Sequence, residues 1–381
     1  MSEEVLGFEM TLEYSDGARL MILSMKTQIS RRRMLGRTSA ALALAGLSSA
    51  PVAAPRSGKQ MGVSIASYGQ RLRAGGELGL PSFRDALNIL DHCHRHGAGG
   101  VQIGVRGWQT AFARKVRDRR ESLGMYLEGQ IGLPRKDSDI DRFESEIKAA
   151  KEAGATIVRT VMLGGRRYEN FKTLASWNEF KRSSYGALER AAKVVERRRV
   201  KLAVENHKDW RAPELIGILK RIGSEYVGAT IDTGNSLSLL EDVMTTVEAL
   251  APYAFTTHFK DMGVAGYDEG FLLAEVPLGK GFVDLRRIID VCERANAEIQ
   301  FNLEMITRDP LKVPCLTEGY WTTFGELPGI HLARTLSQVK ARQGASPMPR
   351  VAGKSAKGRV ALEEANVRDS FEHAREALGL G

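Results

Sequence analysis

Thiol motifs, long apolar runs and phosphate-binding glycine loops are all missing from this chain of 381 residues. Its three cysteines, Cys93, Cys292 and Cys315, are an odd number without a C-x-x-C pair, which excludes a disulfide framework and a zinc knuckle. Cys93 and Cys292 fall within helical patterns and read as small buried hydrophobes. No G-x-G-x-x-G follows the first strand and there is no Walker-type loop, so dinucleotide and P-loop chemistry are excluded. Helix-turn-helix, zinc-finger and RNP-type signatures are absent. The net charge of +9 therefore does not translate into a nucleic-acid partner: 46 acidic residues are interspersed among 55 basic ones. The basic runs Arg117–Arg120 and Arg197–Arg199 lie on helical patterns and read as solvated faces. What is present is an apolar fraction of 43%, enough for a full core.

The two ends read as additions to one domain. Ser30-Arg31-Arg32-Arg33-Met34-Leu35-Gly36 resembles the twin-arginine export motif, and a mild apolar run, Ala40–Leu47, follows it. That run is too short to span a bilayer, so no stable membrane span is expected. Small residues at Val52 and Ala54 suit cleavage after Ala54. Residues 1–54 are thus expected to be a leader with Met25 as the true start, the partner to be the twin-arginine export machinery, and the destination to be periplasmic or extracellular. At the other end, residues 343–381 read as a Gly/Pro/Ser/Ala/Lys-rich linker and a charged C-terminal helix, which either packs on the domain or meets a partner.

Between them, residues 55–342 alternate apolar runs with amphipathic stretches. The first four runs are Met61–Ser67, Gly99–Gly104, Gly124–Ile131 and Ala155–Met162. Glu128 lies inside the third and reads as a structural carboxylate. His92, His94 and His96 end the first helical pattern; residues two apart on a helix point in different directions, so the three are not expected to share one ion. Gly164 opens a long loop through Trp177, where Arg166 and Arg167 either meet an anionic or polyhydroxyl substrate or are solvated. A helix is expected over 183–198. Glu318–Arg342 is read as a closing loop and the last outer helix.

The next four runs carry the chemistry. They end in Glu205, Asp232, His258 and Glu304, at intervals of 27, 26 and 46 residues. One strand, one helix and two short loops need roughly 25–45 residues, so the intervals predict four successive parallel strands. Eight strands in strand–helix alternation predict a single (β/α)8 TIM barrel, with an N-terminal signal segment and a C-terminal helical extension. In such a barrel the four strand ends converge on one mouth. Three carboxylates and an imidazole there suit Mn²⁺, Mg²⁺ or Co²⁺, with Zn²⁺ less favoured.

These motifs, Glu205-Asn206-His207, Asp232-Thr233-Gly234-Asn235, His258-Phe259-Lys260-Asp261, the turn Pro277–Leu285 and Glu304, resemble those of the sugar phosphate isomerase/epimerase group of the xylose-isomerase-like barrels. The resemblance covers roughly residues 61–336. It implies one divalent ion on Glu205, Asp232, His258 and Glu304, with Glu205 and Glu304 as a catalytic acid/base pair. Removing a proton next to a carbonyl needs Lewis-acid stabilisation of the enediolate and a base within reach, which such a site supplies. His207, Asn235 and Lys260 are expected to hold substrate hydroxyls, and Asp261 to orient His258 or Lys260. Sugar 3-epimerases of the family carry a histidine at the place of Asn235, an amide that cannot shuttle a proton at neutral pH. The expected function is a divalent-metal-dependent isomerase or epimerase of a free carbohydrate. Alternatives are a lyase or dehydratase acting on a keto-sugar or keto-glycoside, and a non-enzymatic sugar-binding barrel. An oligomer is compatible with the sequence.

Overall fold

A computed structural model of the chain describes residues 59–345 and 348–381. The expected leader and its export motif lie outside the described residues. Eleven strands occur in chain order. The first six are β1 (Gly62–Ser64), β2 (Gly100–Gly104), β3 (Tyr126–Gln130), β4 (Ile157–Thr160), β5 (Lys201–Glu205) and β6 (Val227–Asp232). They are followed by β7 (Ala254–Phe259), β8 (Asp261–Tyr267), β9 (Gly270–Val276), β10 (Gln300–Leu303) and β11 (Leu311–Val313). Strands β1 to β7 and β10 close into an eight-stranded barrel in which β10 lies between β7 and β1. Every pairing in it is parallel. The expected TIM barrel is therefore the fold.

Burial explains why these segments are strands. All six residues of Val227-Gly-Ala-Thr-Ile-Asp232 are buried, as a strand covered by helices outside and packed side chains inside must be. The helices between strands bury one stripe each. In Leu285–Ala295 that stripe is Leu285, Ile288, Ile289 and Cys292, and the Asp284 side chain accepts from Arg287 N to start the helix.

Three features depart from simple alternation. First, β7 does not lead directly into a helix. It continues into β8, which pairs antiparallel with β9, and β11 completes a three-stranded sheet beside the barrel mouth. Second, the helix expected from Ser183 begins at Leu174, capped by Thr173 Oγ1, which accepts from Ser176 N at 3.1 Å. The stretch around Trp177 is thus helical rather than loop, and its indole packs against Trp210, 4.9 Å between ring centroids. Third, helix Ile330–Arg342 packs on β8 and β9. Helix Ala356–His373 instead lies against the first helical segment after β1, Gly69–Ala74. Its Glu363 accepts from the backbone N–H groups of Gln70 (2.5 Å) and Arg71 (2.8 Å), occupying the donors left over where Gly69–Ala74 begins. Asn366 donates to Thr307 Oγ1 at 2.8 Å, Val367 and Phe371 are buried, and Met61 N donates to Leu380 O. The described residues make one compact unit.

Candidate metal centre

Glu205 and Asp232 are the last residues of β5 and β6, His258 is the penultimate residue of β7, and Glu304 follows β10 directly. One ligand-type atom from each lies within 4.8 Å of the others, and all four side chains are buried. His258 Nδ1 stands 3.3 Å from Glu205 Oε2, 3.3 Å from Glu304 Oε1 and 3.9 Å from Asp232 Oδ2. The four residues singled out by their spacing thus meet at the mouth.

A buried polar layer beneath them orients the histidine. Gln102 on β2 donates through Nε2 to Glu128 Oε2 (2.9 Å), so its Oε1 is the acceptor; it accepts from Gln130 Nε2 at 2.8 Å. The same Oε1 is 2.7 Å from His258 Nε2. His258 therefore donates through Nε2 and turns Nδ1 toward the carboxylates. Glu128 also accepts from Thr256 Oγ1 (2.8 Å) and Asn302 Nδ2 (3.2 Å), the structural role expected of it, and burial pushes its carboxyl up to about 7.

The site fits a divalent ion. His258 Nδ1 has no hydrogen-bond partner, and neither has Asp232 Oδ2 apart from its ion pair with Lys260. Three buried carboxylates converging on one imidazole nitrogen repel one another unless cationic charge lies among them. Burial disfavours ionisation of Glu205, but Arg159 and His258 outweigh it and hold the carboxyl well below the usual range. Glu304 is held down in the same way by His258 and Lys260. Burial opposes protonation of His258 too, yet Glu304 and Glu205 push it up to about 9. The donor set, three carboxylate oxygens and one imidazole nitrogen, matches a hard or borderline divalent ion.

Cations ring this cluster. Lys260 Nζ lies 2.8 Å from Asp232 Oδ2 and 2.6 Å from Glu304 Oε2. Asn235 donates through Nδ2 to Glu205 Oε1 at 3.0 Å, while its Oδ1 accepts from Lys208 Nζ and faces Lys260 Nζ at 3.5 Å. Lys260 and Asn235 thus sit in the centre, as expected. Asp261 does not orient either neighbour. Its carboxylate accepts backbone N–H groups from Met262 (2.9 Å), Gly279 (2.9 Å), Gly281 (2.8 Å) and Val283 (3.1 Å), fixing the turn after β9. A Cβ on Gly281 would overlap that carboxylate. His207 follows Glu205 into the mouth; its Nδ1 has no partner, and burial pushes it down to about 3.

Other residues of the site carry weaker sequence signals. Arg159 donates to Glu205 Oε2 through Nε at 2.6 Å and through a second, shorter bond. A lone charge inside the buried run Ile157–Thr160 is the signal that could have found it. Lys208, fully buried, is lowered to about 8 by burial and by Lys260. Glu275 on β9 pairs with Arg308 at 2.6 Å and faces Lys260 at 3.7 Å, which only the unexpected sheet makes possible. Arg167 is neither solvated nor free for substrate. It is buried over the Trp177 ring (3.9 Å) and pairs with Glu214 at 2.8 Å. Arg166 pairs at the surface with Glu169, 2.7 Å away. No helix among the described residues is long and apolar enough to cross a membrane.

Comparison with known proteins agrees with this fold. Among solved structures, the chain is similar to a D-psicose 3-epimerase determined in the presence of D-fructose: 13% identity, 84% of this chain, 99% of the other, TM-score 0.54. It is similar to an L-ribulose 3-epimerase at 14% identity, 83% of this chain, 96% of the other, TM-score 0.51. A xylose isomerase-like TIM barrel protein from Mycobacterium smegmatis in complex with magnesium matches at 14% identity, 76% of this chain, 98% of the other, TM-score 0.49. No curated protein matches. A family profile described as "Xylose isomerase-like TIM barrel" matches residues 90–319. The chain belongs to the xylose isomerase-like TIM barrel family.

Proposed function

We propose that the protein is a sugar isomerase or epimerase that works by removing and returning a proton next to a carbonyl, with one divalent ion (Mn²⁺, Mg²⁺ or Co²⁺ before Zn²⁺) held by Glu205, Asp232, His258 and Glu304. The observation carrying this reading is the pair Glu205 and Glu304. They come from strands separated by β6 and β7 around the barrel, yet both reach His258 Nδ1 at 3.3 Å, and both are held ionised. The ion, when bound, acts as a Lewis acid on the substrate carbonyl and stabilises the charge that develops as the proton leaves. A carboxylate is a base only while ionised, and the cations around these two keep them so at neutral pH. One glutamate takes the carbon-bound proton; the other, after taking a proton from solvent, returns it from its own side of the site, and the first releases its proton to solvent. Asn235 fixes Glu205 through its 3.0 Å hydrogen bond, and Arg159 holds the other oxygen of the same carboxylate. His207, Lys208 and Lys260 offer one open ring nitrogen and two ammonium groups to substrate oxygens.

A second reading, a lyase that eliminates a β-substituent after the same proton removal, is favoured by one observation. Lys208 is a buried ammonium that donates to Asn235, the residue bonded to Glu205; this places a proton donor beside the carboxylates, and burial and Lys260 push it down to about 8. With the export motif of residues 30–36, either reaction belongs outside the cytoplasm on an unphosphorylated carbohydrate.

The test is incubation of the Mn²⁺-loaded protein in D₂O with free sugars and 3-keto-glycosides, followed by NMR. Deuterium next to a carbonyl in a product with all its oxygens establishes isomerisation or epimerisation. Deuterium with loss of water or an aglycone establishes the lyase. Asp232→Ala is expected to abolish exchange and ion binding at the barrel mouth, and Glu304→Gln to keep some ion there while losing exchange. Wild-type exchange in Glu304→Gln would remove its acid/base role.

A further inference from the structure

His92 and His96 stand one helical turn apart on helix Ala86–Arg95 and its cap, so their rings share a face, unlike the i, i+2 pairs that include His94. Their ring centroids are 4.7 Å apart. Both Nε2 atoms converge on a single oxygen of Glu364 in the C-terminal helix Ala356–His373: His92 at 2.9 Å and His96 at 2.7 Å from Oε1. Two imidazoles crowd one oxygen atom, and His92 Nε2, buried, is not aligned to donate to it; it has no hydrogen-bond partner. His92 is held by Phe83 and Tyr68, whose rings lie 4.9 Å and 5.4 Å from its own. Cys93 faces elsewhere, with Sγ 3.8 Å from Tyr68 Oη, and takes no part.

We propose that His92, His96 and Glu364 form a second divalent-metal site, separate from the barrel mouth, that takes a borderline ion such as Zn²⁺. Two imidazole nitrogens and one carboxylate oxygen are the donors such an ion prefers, and three protein ligands leave a position for water. Glu364 and His96 are partly exposed, so solvent reaches that position. Neutral imidazole binds the ion through its lone pair, which resolves the crowding: each Nε2 becomes a ligand rather than a competing donor.

The location indicates what the ion does. His96 O accepts from Arg375, Leu380 O accepts from Met61 N, and helix Ala86–Arg95 ends just before β2 begins. With His92 packed on Tyr68, just past the C-terminal end of β1, the cluster lies on the outer flank of the barrel, between helix Ala86–Arg95 and the C-terminal helix. An ion there clips the C-terminal helix to the helix preceding β2 across the junction between the last and first barrel strands. It is a structural staple, independent of the proposed reaction.

The experiment is equilibrium dialysis of the full chain against Zn²⁺, with bound metal counted by elemental analysis. About two ions per chain are expected in the wild type, and one in the double variant His92→Gln, His96→Gln, where the barrel ion reports that the fold survives. Asp232→Ala is expected to keep one ion, which Glu364→Gln then removes. Zinc should raise the thermal midpoint of Asp232→Ala and leave that of the Asp232→Ala, Glu364→Gln variant unmoved. An Asp232→Ala variant that binds no ion, or a double-histidine variant that binds as many ions as the wild type, overturns the proposal and leaves the cluster as a plain histidine–glutamate contact. Failure of the deuterium-exchange experiment would not touch it.

Discussion

At the residue scale, the centre depends on side chains that never touch a substrate. Gln102 accepts from His258 because Glu128 takes its Nε2 donor and Gln130 donates to the same Oε1, so Glu128 sets the orientation of a histidine two contacts away. Glu128 has a further consequence. Its carboxyl rises from 4.5 to about 7 because burial disfavours its charge. A folded-state pKa above the unfolded one means that the folded state binds a proton more tightly. The resulting stabilisation is complete below about 4.5 and is lost as pH rises through about 7. Denaturant midpoints measured across that window should fall for the wild type, and the fall should be smaller in Glu128→Gln, whose amide stays neutral throughout. Equal slopes in the two proteins would show that Glu128 carries no such linkage.

At the element scale, the sheet β8–β9–β11 departs furthest from a plain barrel, and Asp261 anchors it. Four backbone N–H groups lose their acceptor in Asp261→Ala, so unfolding free energy should drop by about 3 kcal/mol in chemical denaturation. Ion affinity should change little, since the carboxylate meets neither His258 nor Lys260; a large loss of affinity without a loss of stability would restore the orienting role. This region also marks where the sequence is readable and where it is not. Glu205, Asp232, His258 and Glu304 are legible because each closes an apolar run at the spacing of a strand plus a helix. The hairpin is marked by Asp268-Glu269-Gly270 between two apolar runs, a turn signal that strand–helix counting passes over. Glu275 could not be assigned without it. The partnership of His92 and His96 with Glu364 was invisible for another reason: it joins distant parts of the chain, and periodicity reports only local geometry.

At the scale of the whole molecule, the barrel is completed by its last residues. Val360, Val367, Phe371, Leu378 and Leu380 are buried. Each apolar side chain taken out of water contributes about 1.5–3 kcal/mol, so together they approach the entire stability of a domain, about 5–15 kcal/mol. A chain stopped at residue 355 is therefore expected to lose its cooperative thermal transition; native circular dichroism with an unchanged midpoint would show that the helix only decorates the barrel. The bond from Met61 N to Leu380 O joins the start of the first strand to the far end of that helix. During synthesis, then, the strands and ion ligands emerge from the ribosome tens of residues before the piece that covers Gly69–Ala74 and occupies its free backbone donors. Until then the nascent barrel has one uncovered flank for chaperones to shield. Translation must pass residue 380 before this fold can shut.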